Sequence, residues 1–121
     1  MEKLLPATRR PDITFKSDGR ILIAARVARI LNLLPGACIN VAVHDGEYLL
    51  FAESATLGNH TARCHAVNPT GRYIRANSVV LCRAMLRACH ASSSAALMCG
   101  QAVEIAGQTY VPIITRTVIN K

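Results

Sequence analysis

The side chains best suited to chemistry in this sequence are its arginines. Eleven of the 14 basic residues are arginine, against seven acidic residues, and the formal net charge is +7. A guanidinium can form two parallel hydrogen bonds to a phosphate or to a guanine edge, which a lysine cannot do. Two arginines also stand at matching places, because Gly19-Arg20 recurs as Gly71-Arg72 after 52 residues. The pattern favours nucleic acid as an anionic partner, with solubility alone as the other interpretation of the charge.

No arrangement typical of an active site is present. The three aspartates, four glutamates and four histidines form no recognisable catalytic motif, and His44-Asp45 is typical of a turn. Three serines, Ser92, Ser93 and Ser94, are better explained as loop residues than as nucleophiles. We therefore expect a protein that is not an enzyme and needs no cofactor. The aromatic content of 4% also argues against an RNA-binding surface on which bases stack.

The five cysteines suit neither a disulfide framework nor a zinc site. Their number is odd, and no two of them have Cys-x-x-Cys spacing. Cys64-His65 and Cys89-His90 place metal-ligating types side by side, but adjacent residues on a strand or a helix point in different directions. We expect reduced, mostly buried thiols and no metal site.

Length and composition limit the class of protein further. A chain of 121 residues has the length of one ordinary domain, or of two halves that share a core. Hydrophobic residues make up 51% of it, which is enough for a packed interior. No apolar run approaches the roughly 18 residues of a membrane-spanning helix, and residues 1–10 lack the apolar stretch of a signal peptide. We expect a soluble, cytoplasmic single domain over residues 1–121 with no membrane partner.

The elements that must position the arginines also repeat. In each copy, a β-rich run reaches a glycine turn, at Gly19 or Gly71, and a second β-rich run follows it. These patterns predict strands over 13–16 and 20–24 in the first copy, and over 63–67 and 72–76 in the second. The predicted repeats span residues 12–53 and 63–116, and residues 54–62 have the composition of a linker.

A helix is predicted after the first hairpin of each copy. In copy one, four residues at helical spacing predict one apolar face, with Pro35-Gly36 ending the helix; they are Val27, Ile30, Leu31 and Leu34. In copy two, Asn77 or Ser78 is the predicted N-cap of a helix over 79–90. Its outer side carries Arg83, Arg87 and His90, a pattern typical of a solvated helix face.

Each copy then closes with a second predicted hairpin. Asp45-Gly46 joins strands over 38–43 and 47–53, and Ala106-Gly107 joins strands over 97–105 and 108–115. Gly46 and Gly107 are 61 residues apart, so copy two has nine more residues between its hairpins than copy one (61 minus 52). We place this insertion in a loop near residues 91–95, where the sequence is rich in serine.

The first copy resembles the SpoVT/AbrB domain. The resemblance covers Gly19-Arg20-Ile-Leu-Ile, then Val27, Arg29, Leu31 and Leu33, then Leu34-Pro35-Gly36, then Ile39, Val41 and Val43, then Asp45-Gly46-Glu47 and Tyr48 to Phe51. Copy two matches more weakly, through Gly71-Arg72, Ile74, Val79, Val103, Ile105, Gly107 and Tyr110. The resemblance implies a mainly β, swapped-hairpin barrel with two short helices, made here from two tandem copies in one chain. Such a chain would be a monomeric pseudo-dimer or a weak homodimer.

The resemblance also implies a function, because bacterial transcription regulators of this family bind duplex DNA through their first hairpins. Its basic positions correspond to Arg20 and Arg29 in copy one and to Arg72 in copy two. Leu81 stands in the place of Arg29 in copy two, with Arg75 as a nearby substitute. The complete set of expected DNA contacts is Arg9, Arg10, Lys16, Arg20, Arg29, Arg72 and Arg75. In the simpler interpretation, Arg20 and Arg72 are turn residues, paired with Asp18 or with a carbonyl.

The alternative function is a non-enzymatic structural or protein-interaction module, of a mobile element or phage, that keeps the barrel but not the DNA site. A protein partner would then be held by an edge strand or by the serine-rich segment.

Overall fold

Antiparallel strands make up most of the part of the chain that the computed structural model describes, which is residues 10–53, 62–64 and 73–120. Within these ranges the elements are β1 (Ile13–Lys16), β2 (Arg20–Ala24), α1 (Ala25–Ile30), β3 (Cys38–His44), β4 (Glu47–Glu53), β5 (Ala62–Cys64), β6 (Tyr73–Asn77), α2 (Val79–Ala88), β7 (Ser94–Cys99), β8 (Val103–Ile105) and β9 (Gln108–Asn120). The mainly β fold class with two short helices is thereby confirmed.

The first two strands follow directly from alternation in the sequence. Ile13, Phe15, Ile21 and Ile23 are fully buried, whereas the alternate residues Thr14 and Leu22 are half-buried. Gly19 makes the turn between the strands with a φ of +99°, which favours glycine. The predicted bounds of β1 and β2 are therefore confirmed.

The strand pairings run in a ring. The order β1, β2, β6, β5, β3, β4, β9, β7 returns to β1, and β8 pairs with β9 beside it. The pairing of β4 with β9 joins the two ends of the sheet, so the sheet curls into a barrel-like shape. We call β1–β2 and β5–β6 the first strand pairs, and β3–β4 and β7–β8–β9 the second strand pairs. Each kind of pair forms one continuous half of the ring.

Helix α1 is shorter than the sequence predicts. It ends at Ile30 because Asn32 takes a left-handed φ of +56° and the N–H of Leu33 then donates to the carbonyl of Ala28. Val27 and Leu31 are buried as expected, but Ile30 and Leu34 are 37% and 64% exposed. The predicted end at Pro35-Gly36 is wrong for this reason, and the predicted single apolar face is wrong because two of its four residues are exposed.

Helix α2 begins at the predicted cap. The Ser78 hydroxyl accepts a hydrogen bond from the N–H of Leu81 at 3.1 Å, which satisfies one of the free donors of the first turn. Cys82, Met85 and Leu86 are buried against the sheet. The helix ends as α1 does, with a left-handed His90 at a φ of +55°.

The last predicted hairpin differs most from the structure. The single strand predicted over 97–105 is divided into β7 and β8, and Gly100 lies in the gap, donating to the carbonyl of Pro112 at 2.8 Å. Ser94 and Ala95, predicted in a loop, belong to β7 because they pair with Lys16 and Phe15 of β1. This pairing is a tertiary contact that local sequence does not encode.

One carboxylate is buried among the described residues, that of Asp12 just before β1. Its Oδ2 accepts from the N–H of Cys99 at 2.8 Å and lies 2.8 Å from Nη2 of Arg26, whose N–H groups are not aligned well enough for a hydrogen bond. Asp12 therefore ties the start of β1 to both β7 and α1. A charge this buried requires such partners.

All five cysteines are buried and none forms a disulfide. Desolvation on burial raises the pKa of Cys64 and of Cys82 to about 11 and that of Cys99 to about 12. These thiols therefore stay protonated at neutral pH. In the described ranges, no three His, Cys, Asp or Glu side chains come close enough together to hold a metal ion.

None of the helices in the described ranges has the length and apolar character needed to cross a membrane.

Candidate nucleic-acid interface

The outward face of β1, β2 and β6 gathers basic side chains. Residues of β2 and β6 alternate, so that Arg20, Leu22 and Arg75 point away from the core. Their register sets Leu22 opposite Arg75 and Arg20 opposite Asn77. Arg20 and Arg75 are therefore diagonal neighbours, a relationship that brings positions to within about 7–8 Å on one face of a sheet.

Lys16 extends this basic face onto a third strand. Phe15 is opposite Ile21 in the β1–β2 pair, so the next step of the same register sets Lys16 beside Arg20. Lys16 is at the end of β1 and belongs to its outward positions. We call Lys16, Arg20 and Arg75 the basic row, since three adjacent strands bring them together.

Arg20 is also held by its own turn. Its backbone N–H donates to Oδ1 of Asp18 at 3.1 Å and its Nε donates to Oδ2 at 2.7 Å. The hydrogen bond from the backbone N–H, supported by the guanidinium, keeps the pKa of Asp18 below its ordinary value. The side chains of Arg20 and Asp18 are 49% and 53% exposed, so the pair is open to solvent. The contact uses one of the five guanidinium N–H donors.

The other predicted contacts do not join the basic row. Arg10 is exposed and precedes β1. Arg29 is exposed on α1 and lines a cleft of about 480 Å³ with Tyr73 of β6. Arg9 and Arg72 lie outside the described residues.

Three arginines near these elements were missing from the expected contacts. Arg63 in β5 has its backbone paired with Asn77, which makes it the next position across the sheet from the basic row. Arg83 and Arg87 line a second cleft, beside α2. The sequence places Arg83 and Arg87 on one side of the helix, because they are four residues apart. Sequence alone does not show which residues face them across the cleft, because those residues come from other segments.

Charge is divided unevenly around the ring. The first strand pairs and the helices, taken as residues 10–33, 62–64 and 73–93, contain nine basic and two acidic residues. The second strand pairs, taken as residues 34–53 and 94–120, contain one basic and four acidic residues. Asp12 and Asp18, the two acidic residues of the first group, are each ion-paired with an arginine. The net charges are +7 and −3, so one half of the ring carries the positive charge.

Comparisons of this chain with protein-family models, with curated proteins and with solved structures find no match.

Proposed function

We propose that this protein binds duplex DNA through the outward face of its first strand pairs. The observation that carries the proposal is the basic row, in which Lys16, Arg20 and Arg75 share one surface on the positive half of the ring. Phosphates would be neutralised by these side chains, and an arginine could in addition reach a base edge. The negative half of the ring would face away from the DNA, which orients the protein on approach.

We further propose that the ring is an intrachain pseudo-dimer of the two halves of the chain, β1–β4 and β5–β9, and that each of them resembles the SpoVT/AbrB domain. These halves of the chain are not the positive and negative halves of the ring. The strand pairings support the pseudo-dimer, because exchanging the halves carries each pairing of the ring onto another pairing or onto itself, and β8–β9, beside the ring, is the one described pairing without a counterpart. The first strand pair of each half contacts the second strand pair of the other half: β1 pairs with β7, and β5 pairs with β3. The pairings β2–β6 and β4–β9 each join a strand of one half to the corresponding strand of the other half.

Corresponding residues support the same interpretation. Inward-facing Ile21 and Ile23 of β2 correspond to inward-facing Ile74 and Ala76 of β6, a shift of 53 residues. The left-handed residues that end the helices, Asn32 and His90, are 58 apart, and the turn glycines Gly46 and Gly107 are 61 apart. The shift grows by five between the strands and the helix ends, mainly because α2 has ten residues and α1 has six.

This alignment changes which residues are equivalent. At the shift of 58, the counterpart of Arg29 is Arg87 rather than Leu81, so the second half retains an arginine at the helix end. At the shift of 53, the counterpart of Arg75 is Leu22, an outward residue of β2. Arg75 is therefore particular to the second half, and the proposed DNA-binding face is asymmetric.

A titration of labelled duplex DNA at several salt concentrations tests the proposed binding. If about five cations contact phosphates, the log of the association constant falls with the log of the salt concentration at a slope of about −4 to −5. Replacing Lys16, Arg20 and Arg75 together by alanine should make the slope shallower by about 2.7, because three contacts are lost.

The control is Arg116→Ala, since Arg116 is an exposed cation on the negative half of the ring. It should leave the slope unchanged. Absence of binding at low salt, a slope near zero, or a slope that Arg116→Ala makes shallower by about 0.9, one third of the change expected for the triple variant, would overturn the proposal.

A protein-interaction module is the second candidate, and β8 is the observation that favours it. Each of its three residues is exposed, and Val103 and Ile105 are apolar with 41% and 40% exposure. An exposed short strand of this kind can pair with a strand of another protein. Stable co-purification of a protein after nuclease treatment, lost on Ile105→Lys, would support this function over DNA binding.

A further inference from the structure

A second concentration of positive charge lies in a cleft beside α2. The cleft has a volume of about 600 Å³ and is lined by Ser17, Arg83, Leu86, Arg87, Ala91 and Ser92; we call it the α2 cleft. The β1–β2 turn and the segment before β7, which line the cleft beside α2, are joined because the N–H of Ser17 donates to the carbonyl of Ser93 at 2.9 Å. The side chains thus come from the β1–β2 turn, from α2 and from the segment before β7.

The two arginines of the α2 cleft are placed to act together. Arg83 and Arg87 are one helical turn apart, which sets their Cβ atoms about 5–6 Å from each other. Both are exposed, and none of the ion pairs in the described ranges involves either of them. Their two full charges exceed the roughly half negative charge of a helix C-terminus, so the cleft is positive overall.

The matching cleft beside α1 shows that the fold does not require these residues. We call this the α1 cleft; its lining includes Ala25, Ala28, Arg29, Leu33 and Leu34. The shift of 58 carries these five onto Arg83, Leu86, Arg87, Ala91 and Ser92 of the α2 cleft. Ala25 and Leu34 of the α1 cleft thus correspond to Arg83 and Ser92 of the α2 cleft. The α2 cleft therefore has a second guanidinium and a hydroxyl at two positions where the α1 cleft has apolar side chains.

We propose that the α2 cleft binds a phosphate group. Arg83 and Arg87 supply charge-assisted hydrogen bonds to its oxygens, and the hydroxyls of Ser17 and Ser92 can donate from the opposite rim. The phosphate belongs either to a free phosphate monoester or to the DNA backbone, which present the same oxygens. The site goes beyond the basic row and does not depend on it.

Titration with inorganic phosphate, at ionic strength held constant with chloride, tests the site. Saturable shifts are expected at the backbone amides of Ser17 and Ser92 in two-dimensional NMR spectra. The double variant Arg83→Ala, Arg87→Ala should weaken phosphate binding by at least about tenfold, because hydrogen bonds to a charged group are lost. Arg29→Ala makes the matching change in the α1 cleft and should leave binding unchanged. The melting temperature of each variant shows that it is folded.

Duplex DNA then identifies the source of the phosphate. If DNA displaces inorganic phosphate, and the double variant weakens DNA binding, the cleft takes the DNA backbone. If phosphate stays bound and DNA affinity is unchanged, the ligand is a free monoester. Absence of saturable shifts at Ser17 and Ser92, or an equal loss of binding in Arg29→Ala, would overturn the proposal. The variant lacking Lys16, Arg20 and Arg75 should still bind phosphate, which separates this site from the proposed DNA face.

Discussion

Arg20, at the start of β2, closes a two-point contact on Asp18, with its backbone N–H 3.1 Å from Oδ1 and its Nε 2.7 Å from Oδ2. The contact fixes the direction of the guanidinium at the tip of the first hairpin. It leaves the two terminal nitrogens of the guanidinium outside the pair. Arg20 can therefore be a turn residue and part of the basic row at once, and the two interpretations of this residue are compatible.

The pKa of Asp18 provides the first prediction. In the native protein it lies below its ordinary value of 3.8, chiefly because of the Arg20 backbone N–H. Arg20→Ala should raise the pKa but leave it below 3.8, because the backbone hydrogen bond remains. Since the native pKa is depressed, this carboxylate stabilises the fold fully above pH 3.8, and the effect is lost as the pH falls through the native pKa.

Carboxyl NMR titration of the native protein and of Arg20→Ala measures both pKa values, and Asp18→Asn identifies the resonance. A native pKa at or above 3.8 would contradict the pairing of Asp18 with Arg20.

The second prediction concerns Gly19, whose carbonyl also accepts from the N–H of Ser78 at 2.8 Å. A Cβ at this position would lie 2.8 Å from Cγ2 of Val79, in addition to the strain of a φ of +99°. Gly36 has a similar φ of +93° but open space around it. Gly36→Ala should cost about 1 kcal/mol through strain alone, and Gly19→Ala about 2–4 kcal/mol through strain and overlap.

Urea unfolding of both alanine variants gives the two free energies. Equal losses would show that α2 does not pack against the turn as described.

The third prediction is the oligomeric state. The ring closes within one chain, because β1 finds its neighbour β7, and β4 its neighbour β9, without a second copy. Sedimentation should therefore give a mass of 13.0 kDa that does not change with protein concentration. A stable dimer at micromolar concentration would contradict an intrachain pseudo-dimer.

Local patterns in the sequence predict most of the elements and some of their ends. Alternation set the bounds of β1 and β2, and Asp45-Gly46 set the β3–β4 turn, since these signals act within a few residues. The sequence does not predict the end of α1, because asparagine adopts the left-handed conformation of Asn32 less readily than glycine does. The break between β7 and β8 and the start of β7 depend on long-range pairing with β9 and β1.

The candidate site was predicted only in part, because it also depends on long-range strand pairing. The sequence names Lys16, Arg20 and Arg75, but Arg75 becomes a neighbour of Arg20 only through the β2–β6 register, which joins residues 49 to 57 positions apart. The Gly-Arg repeat gave a shift of 52, whereas the strand faces give 53, and one residue reverses the face of a strand. The proposed equivalence of Arg87 with Arg29 therefore depends on the helix ends and not on the Gly-Arg repeat.

Mapping the surface that contacts DNA is the most direct test of the central claim that the first strand pairs bind a duplex. Backbone amide shifts should be recorded as unlabelled duplex DNA is added to isotopically labelled protein at low salt. The largest changes should fall on β1, β2 and β6, around Lys16, Arg20 and Arg75, and β4 and β8 should be unaffected. Changes concentrated on β8 and β9, or none at any DNA concentration, would contradict the claim.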